Sequence, residues 1–458
     1  MTAEIARRSI RVLGVATVFA AAACNVDNLL DVKDPDIINP GDIQDPSGAQ
    51  ALRNGALARL VQITGGSATP SESFWLLGGL LADEWRSGDT FIERNEIDQR
   101  AIRIQNGNLE NTTRLAHRAR VTALQARKST EANDPGIAAW QIAEMFLVQG
   151  YAENILAENL CNGIALSYVL NNAAVEGEPL TDSAVFATAV AHYDSALARL
   201  GTASDANSTR IRNRANVLKA RSLMNLKRFR EAGAAAALVP AGTAWFVRFS
   251  DNTWYNQIWS LNNSAGRYTL PATAEGPLQM DWVGAQDPRV PNCRGDTTRT
   301  SVCYLAGAQL PVVFDGASGL PRYAQLLWTQ RTDSVAITNY VEAQLIVAEV
   351  QLDSADARWL TTLNTLRATV GLPALADPGT ITGRQDLLFR ERGFWLFGRG
   401  YRLGDLRRLI RQYGRTQDQV FPTGTYVKGG SYGPDVNFPI PQAEQNNSKF
   451  NACLDRKA

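Results

Sequence analysis

Apolar residues recur three and four positions apart over much of this chain. That spacing constrains the fold more than any other feature, because it commits those segments to helices that must bury one face against a neighbour. The period begins near Gly48. In "DSAVFATAVAHYDSALARLG", Phe186, Ala189, Tyr193, Leu197 and Leu200 fall on one stripe, and Gly201 follows as a stop signal. "RNRANVLKARSLMNLKRFREAGAAAALVP" aligns Ala215, Leu218, Ser222 and Leu226, then turns into an alanine-rich second helix ended by Pro240. A further pair is expected from about Ala336 to Val370. Tyr340, Val341, Leu345 and Ala348 mark its first helix; Trp359, Leu363, Leu366 and Val370 mark its second, before Gly371 and Pro373.

Small residues on facing helices permit close packing, the arrangement on which tetratricopeptide pairs depend. The expected fold is therefore mainly α, a tetratricopeptide-like helical repeat scaffold with helical repeats at about 48–240 and 336–413. Between them, at about 241–335, Gly, Pro, Asn and aromatic residues crowd together without a helical period. This stretch reads as a large irregular insertion of loops and short strands, with "GRYTLP", "LPVVFDG" and "RYAQLLWTQ" as strand candidates. Residues 414–458 form a C-terminal segment. A rigid frame carrying such an insertion suits the presentation of binding loops.

With 458 residues, 45% apolar and 20% charged, the chain can bury a large core, and its net charge of +1 lacks the basic field that draws in nucleic acid. Arg7, Arg8 and Arg11 precede an apolar run from Val12 to Ala23, too short to span a bilayer, that ends in small residues. This is the order of an export signal, here residues 1–23. "AAAC" resembles a lipobox, so Cys24 is expected to carry lipid and anchor the protein to a membrane. Multiple acyl chains hold firmly where one alone is marginal. The segment 24–47, rich in Asp, Asn and Pro, then spaces the body from its anchor.

Four further cysteines permit disulfides in an exported chain. Cys293 and Cys303 bracket a polar loop, and Cys161 and Cys453 are the other candidate pair; spacing leaves the connectivity open. No C-x-x-C occurs and only His117 and His192 supply imidazoles, so no metal site is expected. No cofactor is expected either, since "GRGYRLG" lacks both the spacing and the preceding strand of a dinucleotide loop and reads as a bend between helices. In "TGRQDLLFRERGFWLF", Thr382 and Gln385 are positioned as a capping box. In "LADEWRSGD", Asp83, Glu84 and Asp89 invite a carboxylate-dependent glycosidase reading, against which stands a bracing role at a helix end. Hydrolase and nucleotide-binding signatures are missing, and the chain reads as a non-enzyme.

Aromatic residues beside Asn, Asp, Arg and Gln suit sugars, which offer apolar C–H faces and hydroxyl edges. "DNTWYNQIW" and "MDWVGAQDPR" supply that mixture, making Trp254, Tyr255, Asn256, Trp259 and Trp282 candidate ligand contacts, with Trp85 and Arg86 from the earlier loop.

"YVEAQLIVAEV", "LNTLRATVGLP", "ERGFWLFGRGYRLGDLRR" and "FPIPQAE" resemble, in order and spacing over roughly Ala336 to Asn447, the C-terminal third of the SusD/RagB family of outer-membrane lipoproteins. Glu391, Arg392, Gly400, Arg402, Asp405, Leu406, Arg407 and Arg408 fall where that pattern expects them, whereas Trp395 and Arg399 stand in place of acids. The resemblance implies four tetratricopeptide-like pairs supporting an irregular ligand-binding half. It also implies a surface lipoprotein that captures nutrients, foremost glycans or oligosaccharides, as a lid on a SusC-like TonB-dependent transporter. A helical-repeat scaffold that binds proteins is the further alternative.

Overall fold

The computed structural model describes residues 45–67, 72–170, 173–294, 318–450, 453 and 456–458. The signal, Cys24 and nearly all of the leader lie outside the described residues, as do Cys303 and the "LPVVFDG" candidate.

The N-terminal helices are α1 (Pro46–Thr64), α2 (Phe74–Leu81), α3 (Ile92–Asp98), α4 (Gly107–Asn133), α5 (Ala139–Asn159), α6 (Asp182–Leu200), α7 (Ala206–Asn225) and α8 (Phe229–Ala237). After the insertion come α9 (Tyr340–Asp353), α10 (Arg358–Ala368), α11 (Ile381–Leu396) and α12 (Arg402–Tyr413). Consecutive helices pack on one another from α4 to α8, α1 lies against α4, and α9 closes on both α8 and α10. Caps fix where the helices begin: the side chains of Asp45, Asn106, Thr181, Asp205 and Asn339 each accept a first-turn N–H. Phe186, Ala189, Tyr193 and Leu200 of the α6 stripe are buried and Leu197 is half-buried. Gly150 shows how tightly α5 meets α6, since a Cβ there would stand 2.8 Å from the Tyr193 ring.

Three details depart from the sequence reading. Thr380, not Thr382, caps α11, accepting from Gly383 N at 3.1 Å; the helix starts two residues earlier and Thr382 sits inside its first turn. Ala336 belongs to a strand, because Val335–Asn339 pairs before the helix opens at Tyr340. Val370 lies beyond the end of α10 and is 40% exposed.

The short strands form two-stranded antiparallel ladders. β2 (Ile164–Ala165) pairs with β5 (Pro179–Leu180), and β3 (Tyr168–Leu170) with β4 (Ala173–Val175). β6 (Ala244–Val247) pairs with β10 (Val335–Asn339), closing the insertion at its base. Within it, β8 (Asn292–Arg294) pairs with β9 (Tyr323–Gln325), while β7 (Tyr268–Thr269) pairs with β1 (Arg86–Ser87) of the N-terminal part. The "GRYTLP" and "RYAQLLWTQ" candidates thus contain β7 and β9.

The C-terminal segment returns to the helices. Phe438 is buried against Phe74, Cys161 N donates to Phe438 O at 2.8 Å, and a disulfide joins Cys161 to Cys453. Cys293, on β8, is also disulfide-bonded.

Candidate ligand-binding site

The arginine-rich element holds the insertion against the scaffold. Arg402 makes a bidentate pair with Asp83 at 2.6 and 2.8 Å, and Asp83 also accepts from Met280 N at 2.8 Å. Arg407 reaches Asp182 of α6 at 2.5 Å, and Arg408 reaches Glu349 of α9. Arg392 and Arg408 both bind Asp405; together they overcome the upward push of burial and hold its carboxyl below the usual range. Glu391 is fully buried between Arg289 at 2.5 Å and Arg367 at 2.7 Å. These acids and bases are bracing pairs between distant elements. "GRGYRLG" is a bend: Gly398 and Gly400 take φ values of 69° and 75°, and a Cβ on Gly400 would collide with Trp75 at 2.3 Å.

Burial removes several sequence candidates from ligand contact. Trp282 is fully buried against Phe394 and Phe397, its indole N–H donating to Asp83 O. Trp85, also buried, packs on Phe397 and Tyr268. Asn256 caps a short helical turn, accepting from Ile258 N at 2.9 Å, and Arg86 is buried while donating to Pro321 O. These four shape the insertion from within. Trp254, Tyr255 and Trp259 remain half-buried, with the Arg331 guanidinium 4.6 Å over the Tyr255 ring. Asp83 and Glu84 are buried, and Asp89 is paired with Arg94 and Arg267.

A different set of residues comes together in a cleft of about 380 Å³ between the outer face of the β6–β10 ladder and the end of α11. Phe246 and Ala336, register partners across the ladder, form one wall. Phe246, Leu327 and Val370 expose 48%, 38% and 40% of their surface there, an unusual concentration of large apolar side chains in contact with water. Trp328 and Trp395 supply flat rings. The Gln325 side chain fixes the Trp328 turn, its oxygen accepting from Leu327 N and Trp328 N at 2.7 and 2.9 Å while its amide donates to Trp328 O. Trp395 is set by Arg289, whose guanidinium, held by Asp287 and Glu391, lies 5.1 Å from the Trp395 ring. Arg399 donates to Trp395 O and lines the same cleft, with Ser334 and Asn339 as neutral polar groups. Rings flanked by fixed guanidinium, hydroxyl and amide groups give the stacking faces and hydrogen-bonding edges that a sugar requires. Sequence reasoning missed these residues. The signal available was the pair Trp395 and Arg399, aromatic and basic where the resembled pattern carries acids.

No protein-family model matches the chain, and no curated protein does. Solved structures do. A SusD superfamily protein from Bacteroides vulgatus superposes with a TM-score of 0.61 at 13% identity, over 90% of this chain and 99% of its own. The fold is SusD-like. A laminarin-binding SusD-like protein matches at TM-score 0.62 and 14% identity, over 90% and 99% of the two chains. A SusD-like carbohydrate-binding protein from Bacteroides fragilis matches at 0.63 and 13%, over 88% and 98%. The SusD-like fold thus spans scaffold and insertion together, and the aromatic cleft lies where they meet.

Proposed function

We propose that this protein is a cell-surface binding lipoprotein that captures glycans or oligosaccharides without cleaving them and delivers them, as a lid, to a SusC-like TonB-dependent outer-membrane transporter. The observation that carries the reading is the cleft of Trp328, Trp395 and Phe246 on a SusD-like fold, beside solved relatives described as binding carbohydrate or laminarin. Trp328 and Trp395 stack on sugar faces, Arg399 and Asn339 meet the hydroxyls, and the half-buried Trp254, Tyr255 and Trp259 extend the surface. Acylated Cys24 tethers the body to the outer membrane. The buried Asp83 and Glu84 brace the fold and take no part in hydrolysis.

Screening the protein from which residues 1–24 are removed against glycan and peptide arrays, followed by calorimetry with the strongest oligosaccharide, tests this. Binding without release of shorter products is expected, with Trp395→Ala weakening it about fivefold or more, since loss of one stacking ring costs on the order of 1 kcal/mol. Binding confined to peptides would overturn the sugar assignment.

A further inference from the structure

Away from the aromatic cleft, and sharing no lining residue with it, a groove of about 560 Å³ opens between α1, α4 and the C-terminal segment. Arg59 of α1 meets Arg114 and Arg118, one turn apart on α4, across it. Several buried arginines elsewhere are matched to carboxylates, as in Arg53–Glu144, Arg221–Glu158 and Arg402–Asp83, and others, such as Arg86 and Arg100, donate to backbone carbonyls. Arg59, Arg114 and Arg118 form no ion pair among the described residues. Arg59 Nη1 donates to the neutral Gln62 at 2.8 Å and Arg114 Nη2 to the neutral Asn111 at 2.5 Å. Burial, and secondly the charge of Arg118, hold Arg59 below the usual arginine range. Like charges are being held together at a cost that an anion between them would reverse.

The remaining lining groups do not cancel this charge. Glu110 lies one turn before Arg114 on α4, and Glu444 sits where burial pushes its carboxyl up while Arg120 draws it down. With both acids ionised, three guanidiniums still leave a net positive groove. His117 stays neutral at pH 7, since burial first and Arg120 second push it down to about 3, and it is available for hydrogen bonding to an uncharged oxygen. Val121, Val169 and Pro441 give the groove apolar walls. Its volume falls within the range of small-molecule sites, roughly 300–1,000 Å³, and guanidinium pairs suit the geometry of carboxylate and phosphate oxygens.

We infer that this groove is a second binding site, for a small ligand bearing a carboxylate or phosphate oxyanion clamped among Arg59, Arg114 and Arg118. Titration calorimetry of the purified protein with digalacturonate, inorganic phosphate and neutral cellobiose tests it. At least one of the two anions binds, its affinity falls several-fold between 50 and 300 mM NaCl, and Arg114→Ala/Arg118→Ala on the exposed helix face lowers it at least tenfold. Tighter binding of digalacturonate assigns the site to an acidic sugar, and tighter binding of phosphate to a phosphorylated ligand. Trp395→Ala leaves anion binding unchanged, so failure of the aromatic cleft as a glycan site is read separately. Absence of binding by both anions at millimolar concentration, or binding insensitive to the double substitution, overturns the inference.

Discussion

Glu84 carries a carboxyl group into the apolar interior, where Gly398 N donates to it at 3.0 Å. Burial pushes its pKa up to about 8; the Gly398 hydrogen bond works against that rise and the charge of Asp83 adds to it. An unfolded chain titrates the same group near 4.5. Between those values the native state holds a proton that the unfolded state has lost, so stability falls as pH rises through the window. Asp98, raised by burial to about 7, acts in the same direction. The melting temperature should therefore decline from pH 5 to pH 8, and Glu84→Gln should flatten that decline, as thermal unfolding at a series of pH values would measure; an unchanged slope in the variant would remove Glu84 from the account. Its neighbour Asp83 is matched by Arg402. Asp83→Ala leaves a buried guanidinium unpaired and should cost roughly 3–5 kcal/mol in denaturant unfolding. The bracing role of this acidic pair was readable from its place at a helix end. Its partners, 319 and 314 residues away in sequence, were not, because nothing local encodes a contact closed by tertiary packing.

At the scale of elements, legibility followed periodicity. The α6, α7 and α9 stripes were visible because a 3.6-residue repeat persists over several turns, which two to five strand residues cannot do. β6 and β10 were missed for that reason, although their ladder forms a wall of the cleft. Val370 shows the converse error, since a residue in phase with a helix stripe lies past its last turn and faces water. The C-terminal segment depends on tertiary fixing: the Leu160–Phe438 bridge and the Cys161–Cys453 disulfide tie it to the end of α5. Its link closes a span of 292 residues, and removing a native disulfide typically costs about 2–5 kcal/mol. Cys161 is fully buried whereas Cys453 is not, so Cys453→Ser is the substitution that tests the link without disturbing the core. Amide exchange should quicken over 438–458 while α6 and α7 keep their protection; uniform loss of protection would mean that the bond supports the whole fold.

Taken whole, the molecule separates support from recognition. Arg402, Arg407 and Arg408, within two turns of α12, reach Asp83, Asp182 and Glu349 respectively, and Asp83 also accepts from Met280 N, so the insertion, the N-terminal repeats and the C-terminal pair are locked to a single helix. On the proposed function, bracing of this kind lowers the ordering cost of gripping a flexible saccharide in the aromatic cleft. On the same reading, the body must stay at the membrane while its ligand is handed over, and that depends on Cys24. The 23 residues from Cys24 to Pro46 span at most about 80 Å when extended, enough for the body to move over a transporter yet too little for it to leave. Cys24→Ala should therefore transfer the protein from the membrane fraction to the soluble fraction of a Gram-negative host, as immunoblotting of the fractions would show. Melting temperature and oligosaccharide affinity should stay unchanged, because the cleft residues belong to the braced body. Retention of the variant in the membrane fraction would refute the acyl tether and shift the burden of attachment to protein contacts.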